Sequence, residues 1–256
     1  MIKKVNRERW EEAQNWEKSF WDKSISASWS LRGLRIFKTI AKMIIRDGPG
    51  DDSNYWWAGQ FNNYEFVPNT LNNVVEFGCG PFTNLRIILK NRVTKHVFDS
   101  DPLVKYYVKY KGYQLAKKWK KQEYLIDDHP LEEAPFADNY FDLVICINVL
   151  DHVQDPDICL KQLVRVTAME GLLIFGQDLT NYEDLKSTEK ERLAANGDVG
   201  HPHIFDNSNE LLEYFDSFDP IINRILKREE GRGPKWHFST LIFAGKKKSS
   251  ILREKS

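Results

Sequence analysis

The chain has 256 residues, 41% of them hydrophobic, and 37 basic residues balance 37 acidic ones to a formal net charge of zero. That length and apolar content suffice for one large domain, or one domain with an appendage, around a buried core. A neutral balance speaks against a general nucleic-acid binder, which carries a basic excess, though not against a local basic patch.

The three cysteines, Cys79, Cys146 and Cys159, stand among apolar neighbours at spacings that suit neither a zinc site nor a disulfide framework. Reduced thiols in a cytoplasmic protein are therefore expected. The N-terminal MIKKVNRERWEEAQNWEKSFW has no apolar run of the signal-peptide kind, and no apolar stretch of about 18 residues predicts a membrane span.

Residues 5–22 read as a helix rich in Trp and Glu. Residues 29–46 set Leu31, Leu34, Phe37, Ile40, Ala41, Ile44 and Ile45 at helical spacing, with Arg32, Arg35, Lys38, Lys42 and Arg46 on the other face. DGPGDDSN then breaks the helix. Residues 1–50 are expected to form a helical cap, 51–246 the main domain and 247–256 a charged tail. Three roles stay open for the basic stretch 31–46: packing on the main domain, peripheral contact with an anionic membrane surface, and dimerisation. Oligomeric state is not legible.

From Leu71 strands alternate with helices. VVEF (74–77) reads as a first strand, followed by a helix over 84–91, and HVFD (96–99) as a second, with a helix from Pro102 to about Tyr113. Residues 123–126 give a weak third strand. FDLVICIN (141–148) is the most apolar segment, as a parallel strand covered on both faces should be. A helix over 155–166, a strand over 171–177, a helix over 207–215 and strands over 220–226 and 238–244 complete the pattern. Between the last two strands there is no room for a helix, so they should pair antiparallel. The expected fold is α/β: a doubly wound, seven-stranded, mostly parallel sheet with a C-terminal antiparallel hairpin and an N-terminal helical cap.

In such sheets ligands bind beyond the carboxyl ends of the strands. There VVEFGCGPFTNL places Gly78 and Gly80, which permit a tight turn and close approach of a ligand. The amides opening the next helix suit a carboxylate or phosphate. Glu76 is expected to point its charge into the same crevice, toward a cationic group. Asp99, at the end of the second strand, is placed to bind ribose hydroxyls, with Asp101 as its rival.

The series VEFGCGPFTN, VFDSDP, EEAPFADNYFDLVICINVLDHVQDP and GLLIFGQD resembles the ordered motifs of class I S-adenosylmethionine-dependent methyltransferases, over about residues 54–245. The resemblance implies S-adenosyl-L-methionine as cofactor. It implies that Glu76, Phe77, Gly78, Cys79 and Gly80 cradle its methionine part. Asp99 would hold the ribose, the adjoining Ser100 would belong to the cofactor site, and Asp101 and Pro102 would lie beside the adenine. Glu132, Glu133 and Ala134 would approach the adenine edge, and Asn148 and Val149 the sulfonium. The family's third turn glycine is Phe82 here, and the acid usual five residues before the Pro of its PF pair is replaced by Pro130. A nicotinamide dinucleotide is the rival cofactor, but Thr83 stands where that site wants a third glycine.

NYWWAGQFNNYEF (54–66) is expected in the core, with Trp57, Gln60, Phe61 or Tyr64 as cofactor contacts in the alternative. His152 reads as structural. GHPHIFDNSNEL (200–211) puts His201 and His203 in the loop ahead of a helix. Either is a candidate general base, supported by Asp178. No metal is expected, because the two histidines lack a clear third ligand.

The N-terminal ERWEEAQNWEKSFW weakly resembles methyltransferases of glycan biosynthesis, which implies O-methylation of a small-molecule or sugar acceptor. INVL after the fourth strand, where a base-methylating enzyme carries an Asn-Pro-Pro-Tyr-like motif, speaks against nucleic acid. A cofactor-binding partner without turnover is the alternative.

Overall fold

The computed structural model describes residues 3–29, 52–110, 123–179, 200–233 and 239–249. The basic amphipathic stretch 31–46, the Lys-rich 117–121 and the end of the tail lie outside these residues.

Helix α1 runs Arg7–Trp29 and α2 Asp52–Gln60. The sheet follows with β1 (Thr70–Phe77), β2 (Val93–Ser100), β3 (Glu123–Asp127), β4 (Phe141–Ile147), β5 (Thr167–Leu179), β6 (Phe218–Lys227) and β7 (Ser239–Lys247). Between them lie α3 (Leu85–Ile88), α4 (Val104–Tyr107), α5 (Pro156–Val166) and α6 (Ser208–Leu212). The seven strands are ordered β3-β2-β1-β4-β5-β7-β6. The first five are parallel neighbours, while β7 inserts antiparallel between β5 and β6. The chain winds outward from β1 to β3 and then restarts at β4, so the switch point lies between β1 and β4.

Side chains alternate across this sheet with the two-residue period of a strand. Val75, Phe77, Val144, Cys146, Leu173 and Phe175 face α5, whose Cys159, Leu160, Leu163 and Val166 are fully buried against them. Val74, Leu143, Ile145, Ile147, Leu172 and Ile174 face the other way, onto Trp57, Ala58, Phe61 and Tyr64. Both faces of β4 are covered, which is why its sequence is continuously apolar. Helix α5 starts where Asp155 accepts the Ile158 amide at 3.3 Å and Pro156 sits in the first turn.

Helix α3 is shorter than the predicted 84–91. The Arg92 guanidinium binds the carbonyls of Ile88, Val67 (3.1 Å) and Tyr64 (2.6 Å), closing the helix end, and the Val93 amide then joins Asn69 at 2.9 Å to start β2. Strand β5 is longer than predicted at both ends. Among the described residues no helix is long and apolar enough to cross a membrane.

Candidate functional site

A cleft of about 390 Å³ opens over the carboxyl ends of β1, β2 and β4. Its floor is the turn after β1. Gly78 has φ +64 and Gly80 φ +55, the left-handed region that favours glycine. The two serve different ends. A Cβ on Gly78 would come within 2.4 Å of Val149, whereas one on Gly80 would meet no protein atom within 4 Å. Gly78 is demanded by packing of the β4 end against the turn; Gly80 faces open space, where a ligand could approach the backbone.

Glu76 does not enter the cleft. Its buried carboxylate accepts the Thr83 hydroxyl, the Asn84 side-chain amide at 2.7 Å, and the amides of Asn84 at 3.2 Å and Leu85 at 3.3 Å. Burial pushes its pKa up, and these four hydrogen bonds oppose that rise. The expectation that Glu76 meets a cationic group is corrected: it neutralises the amides that open α3, so those amides are not left for a ligand either.

A similar correction applies at β2. Asp99 is fully buried, bonded by the Tyr124 hydroxyl, and does not line the cleft. Asp101 does, with Ser100, Pro102 and Leu103. Its two oxygens accept the Gly80 amide at 3.1 Å and the Leu103 amide at 2.7 Å. Burial pushes its pKa up to about 6, against those two bonds. The rival named from sequence is thus the acid that reaches the cleft. Beyond it, His129, Pro130, Leu131 and Glu132 form the wall. Glu133 and Ala134 are not in that wall, and Glu132 spends one oxygen on the amides of Gln154 and Asp155 at 2.7 and 2.8 Å.

At the end of β4, Asn148 turns the chain with φ +57, its amide bonded to the Gly176 carbonyl at 2.7 Å and its side-chain oxygen to the Asp178 amide at 3.1 Å. Asn148 and Val149 line the cleft, as do Phe77, Gly78, Cys79 and Gly80. A short 3-10 turn, Leu150–His152, follows and sets Asp151 and His152 beside it. His201 comes from the segment before α6. Its Nε2 lies 3.8 Å from an Asp151 oxygen, His152 Nε2 lies 3.9 Å from the same oxygen, and the two imidazole rings are 4.6 Å apart. His152 Nδ1 donates to the Gly200 carbonyl at 3.0 Å. Burial alone would raise the Asp151 pKa; the charges of His152 and His201 and the Gln177 side chain outweigh it and hold the carboxylate below its ordinary value.

His203 and Asp178 stand apart from this cluster. His203 is buried and donates from Nε2 to the Val153 carbonyl at 2.8 Å, and burial lowers its pKa below the ordinary value. It fastens the segment to the turn after β4 and does not line the cleft. The Asp178 side chain is 1% exposed and is bound by Thr240 at 2.8 Å and Arg232 at 2.9 Å. Sequence reasoning missed Asp151 as the partner; His152, read as structural, both ties the Gly200 carbonyl and lines the cleft. The expected N-terminal cap, whose role as a lid the sequence left open, contributes the roof. Trp10, Gln14, Glu17 and Trp21 of α1, at helical spacing, line the cleft together with Trp16 and Phe20. Gln14 binds the His152 carbonyl at 3.1 Å, Trp21 meets Phe82 edge-on at 5.8 Å, and Asp22 accepts the Tyr106 and Tyr110 hydroxyls at 2.6 and 2.7 Å. Of the aromatic segment before β1, Trp57 reaches the cleft, while Phe61 and Tyr64 are buried in the core.

Residues 75–175, from the middle of β1 into β5, match the family model described as "Methyltransferase domain". Over that segment the chain is similar to methyltransferase domains, and its seven-stranded sheet has the Rossmann-like fold of methyltransferases. Solved structures that share its fold include the N-methyltransferase NodS from Bradyrhizobium japonicum WM9, in complex with S-adenosyl-L-homocysteine. That structure is 14% identical, covers 83% of this chain and 98% of its own, and has a TM-score of 0.56. Another is the 1,6-didemethyltoxoflavin-N1-methyltransferase of Burkholderia thailandensis, with 13% identity, coverage of 97% and 95%, and a TM-score of 0.56. Comparison of the sequence with curated proteins finds no match. In this fold the glycine turn, Asp101 and the β4 end line one cleft with His152 and His201, behind which Asp151 lies, an arrangement the sequence alone did not connect.

Proposed function

We propose that this protein transfers the methyl group of S-adenosylmethionine to a hydroxyl of a small-molecule or sugar acceptor. The reading rests on one observation: His152 and His201, backed by the Asp151 carboxylate, and a glycine turn with open space before Gly80 line the same cleft.

The residues present fit the cofactor. Gly78, Cys79 and Gly80 offer backbone without bulk, and Asp101 offers carboxylate oxygens to ribose hydroxyls. Leu103, Pro130 and Leu131 give an apolar wall for a flat base, and Asn148 and Val149 stand between that end and the histidines. When bound, S-adenosylmethionine supplies an electrophilic methyl group on a positively charged sulfur. The protein's part is positioning and exclusion of water, for which the aromatic roof of α1 is suited.

The hydroxyl preference follows from the cluster. An amine attacks through its own lone pair and needs no strong base. A hydroxyl has a high pKa and gains from one. His201 takes the proton of the acceptor hydroxyl, and Asp151 at 3.8 Å stabilises the imidazolium that forms. His152, tied by Nδ1 to Gly200, keeps the segment carrying His201 against the turn after β4.

The test is a panel of sugars, hydroxy acids and amines incubated with the cofactor, with products read by mass spectrometry. Methylated hydroxyl products, lost in H201Q while S-adenosylhomocysteine still binds, support the reading. Methylation of amines alone would sink the base role. Binding of S-adenosylhomocysteine with no turnover of any acceptor would make the chain a cofactor-binding partner.

A further inference from the structure

Arg232 follows β6 and lines the cleft. One terminal nitrogen, Nη2, donates to the Asp178 carboxylate at 2.9 Å, and Nη1 donates to the Ser53 hydroxyl at 2.6 Å. Behind it Asp178 is 1% exposed and also accepts the Thr240 hydroxyl at 2.8 Å, while Arg232 itself is 33% exposed. A buried carboxylate with its own second partner is thus the fixed base of a guanidinium that fronts the cleft.

Other arginines of the same domain behave differently. Arg165 divides its nitrogens among Gln162, Asp138 and the carbonyls of Phe136 and Ala134, and Arg92 binds three carbonyls. Those are structural clamps. A guanidinium has five N–H donors, and Arg232 commits two of them to described residues. The rest belong to a group anchored by an ion pair to a buried carboxylate, the arrangement suited to forked recognition of an oxyanion.

Position tells which ligand the fork would meet. The glycine turn and Asp101 lie at β1 and β2, on one side of β4. Asp178 and Arg232 lie at β5 and after β6, on the other side, where the sheet order places β5, β7 and β6. An arginine there stands away from the proposed ribose and adenine contacts.

We propose that Arg232 is a specificity-determining residue that binds an anionic group, a carboxylate or a phosphate, on the methyl acceptor. The proposal rests on the methyltransferase reading above and narrows its acceptor class to acidic hydroxyl compounds.

The test uses the full chain saturated with S-adenosylhomocysteine. The probes are D-glucuronate and glucose 6-phosphate, each against D-glucose, by titration calorimetry and thermal shift. The wild type is expected to bind at least one acidic probe and to ignore glucose. The two acidic arms distinguish a carboxylate from a phosphate preference. R232Q is expected to weaken the acidic probe by about tenfold or more, the scale of a charge-assisted hydrogen bond, and to leave S-adenosylhomocysteine affinity within about twofold. R232K, which keeps charge but not the fork, should fall between. If neither acidic probe binds the wild type better than glucose, or R232Q and R232K both bind it as the wild type does, the proposal is overturned. Failure of S-adenosylhomocysteine to bind the wild type would instead overturn the methyltransferase reading. A folding defect would show in the melting curve of R232Q, and S53A, which loosens the fork without touching Asp178, then carries the test: unchanged acidic-probe affinity in S53A overturns the proposal as well.

Discussion

The Asp101 carboxylate accepts the Gly80 amide at 3.1 Å, tying the end of β2 to the glycine turn after β1. Burial raises the pKa of this carboxyl to about 6. Ribose hydroxyls are donors and favour its ionised form. Affinity for S-adenosylhomocysteine should therefore be full at neutral pH and fall as pH drops through about 6, by up to tenfold per unit for one coupled proton. Calorimetry from pH 7.5 to pH 5 reads this. D101N should weaken binding and flatten the profile; an unchanged profile in D101N would show that another group titrates.

His201 and Asp151 are predicted to act together. H201Q should lower kcat by about 10²–10⁴, the range of general base catalysis, with little change in S-adenosylhomocysteine affinity. D151N should lower it less, because the histidine remains. The potential ligand atoms of Asp151, His152 and His201 all lie within 4.8 Å of one another, a spacing that would also hold a divalent cation. Under the base reading, dialysis against a chelator leaves turnover intact. Loss of turnover on chelation, with recovery on adding zinc or manganese, would assign the cluster to a metal instead.

The two turn glycines should fail differently. G78A combines φ +64 with a Cβ 2.4 Å from Val149, so it should destabilise the fold by about 2 kcal/mol or more in a denaturant titration. G80A has the positive φ but open space around the new methyl. It should cost about 1–2 kcal/mol of stability and, under the proposed cofactor reading, weaken S-adenosylhomocysteine further than its stability loss explains, since the methyl would enter the open space before the turn.

His203 should behave as a structural residue. H203A loses the bond to the Val153 carbonyl and should cost about 1–3 kcal/mol of stability. Its turnover, measured below the melting transition, should drop far less than that of H201Q. Burial holds the folded-state pKa of His203 below its ordinary value, so the unfolded chain takes up a proton first as pH falls. Stability should decline as pH is lowered from about 6.5, and H203A should remove part of that slope. A larger loss of kcat in H203A than in H201Q would exchange the two roles.

Much of this architecture is legible in the order of the residues. The unbroken apolar run of β4, Gly-x-Gly after an apolar strand, and Asp155-Pro156 ahead of α5 are local signals. Each follows from backbone geometry or from covering a strand on both faces. They place seven strands, the hairpin and the binding edge of the sheet without reference to distant contacts. What local pattern could not decide is where a charged side chain finds its partner. Glu76 and Asp99 sit at the strand ends where a ligand was expected. The amides opening α3 and the Tyr124 hydroxyl, distant or hidden in sequence, take them inward, because a buried carboxylate must be satisfied by the nearest donors. Asp151 and His201 are 50 positions apart in sequence, and only the crossing of the segment before α6 over the turn after β4 brings them to 3.8 Å. Arg232 and Ser53 likewise meet only when α2 and the chain leaving β6 dock at the same rim. Sequence periodicity determined the sheet and its binding edge; side-chain pairing across the folded chain decided which acids and histidines face the cleft.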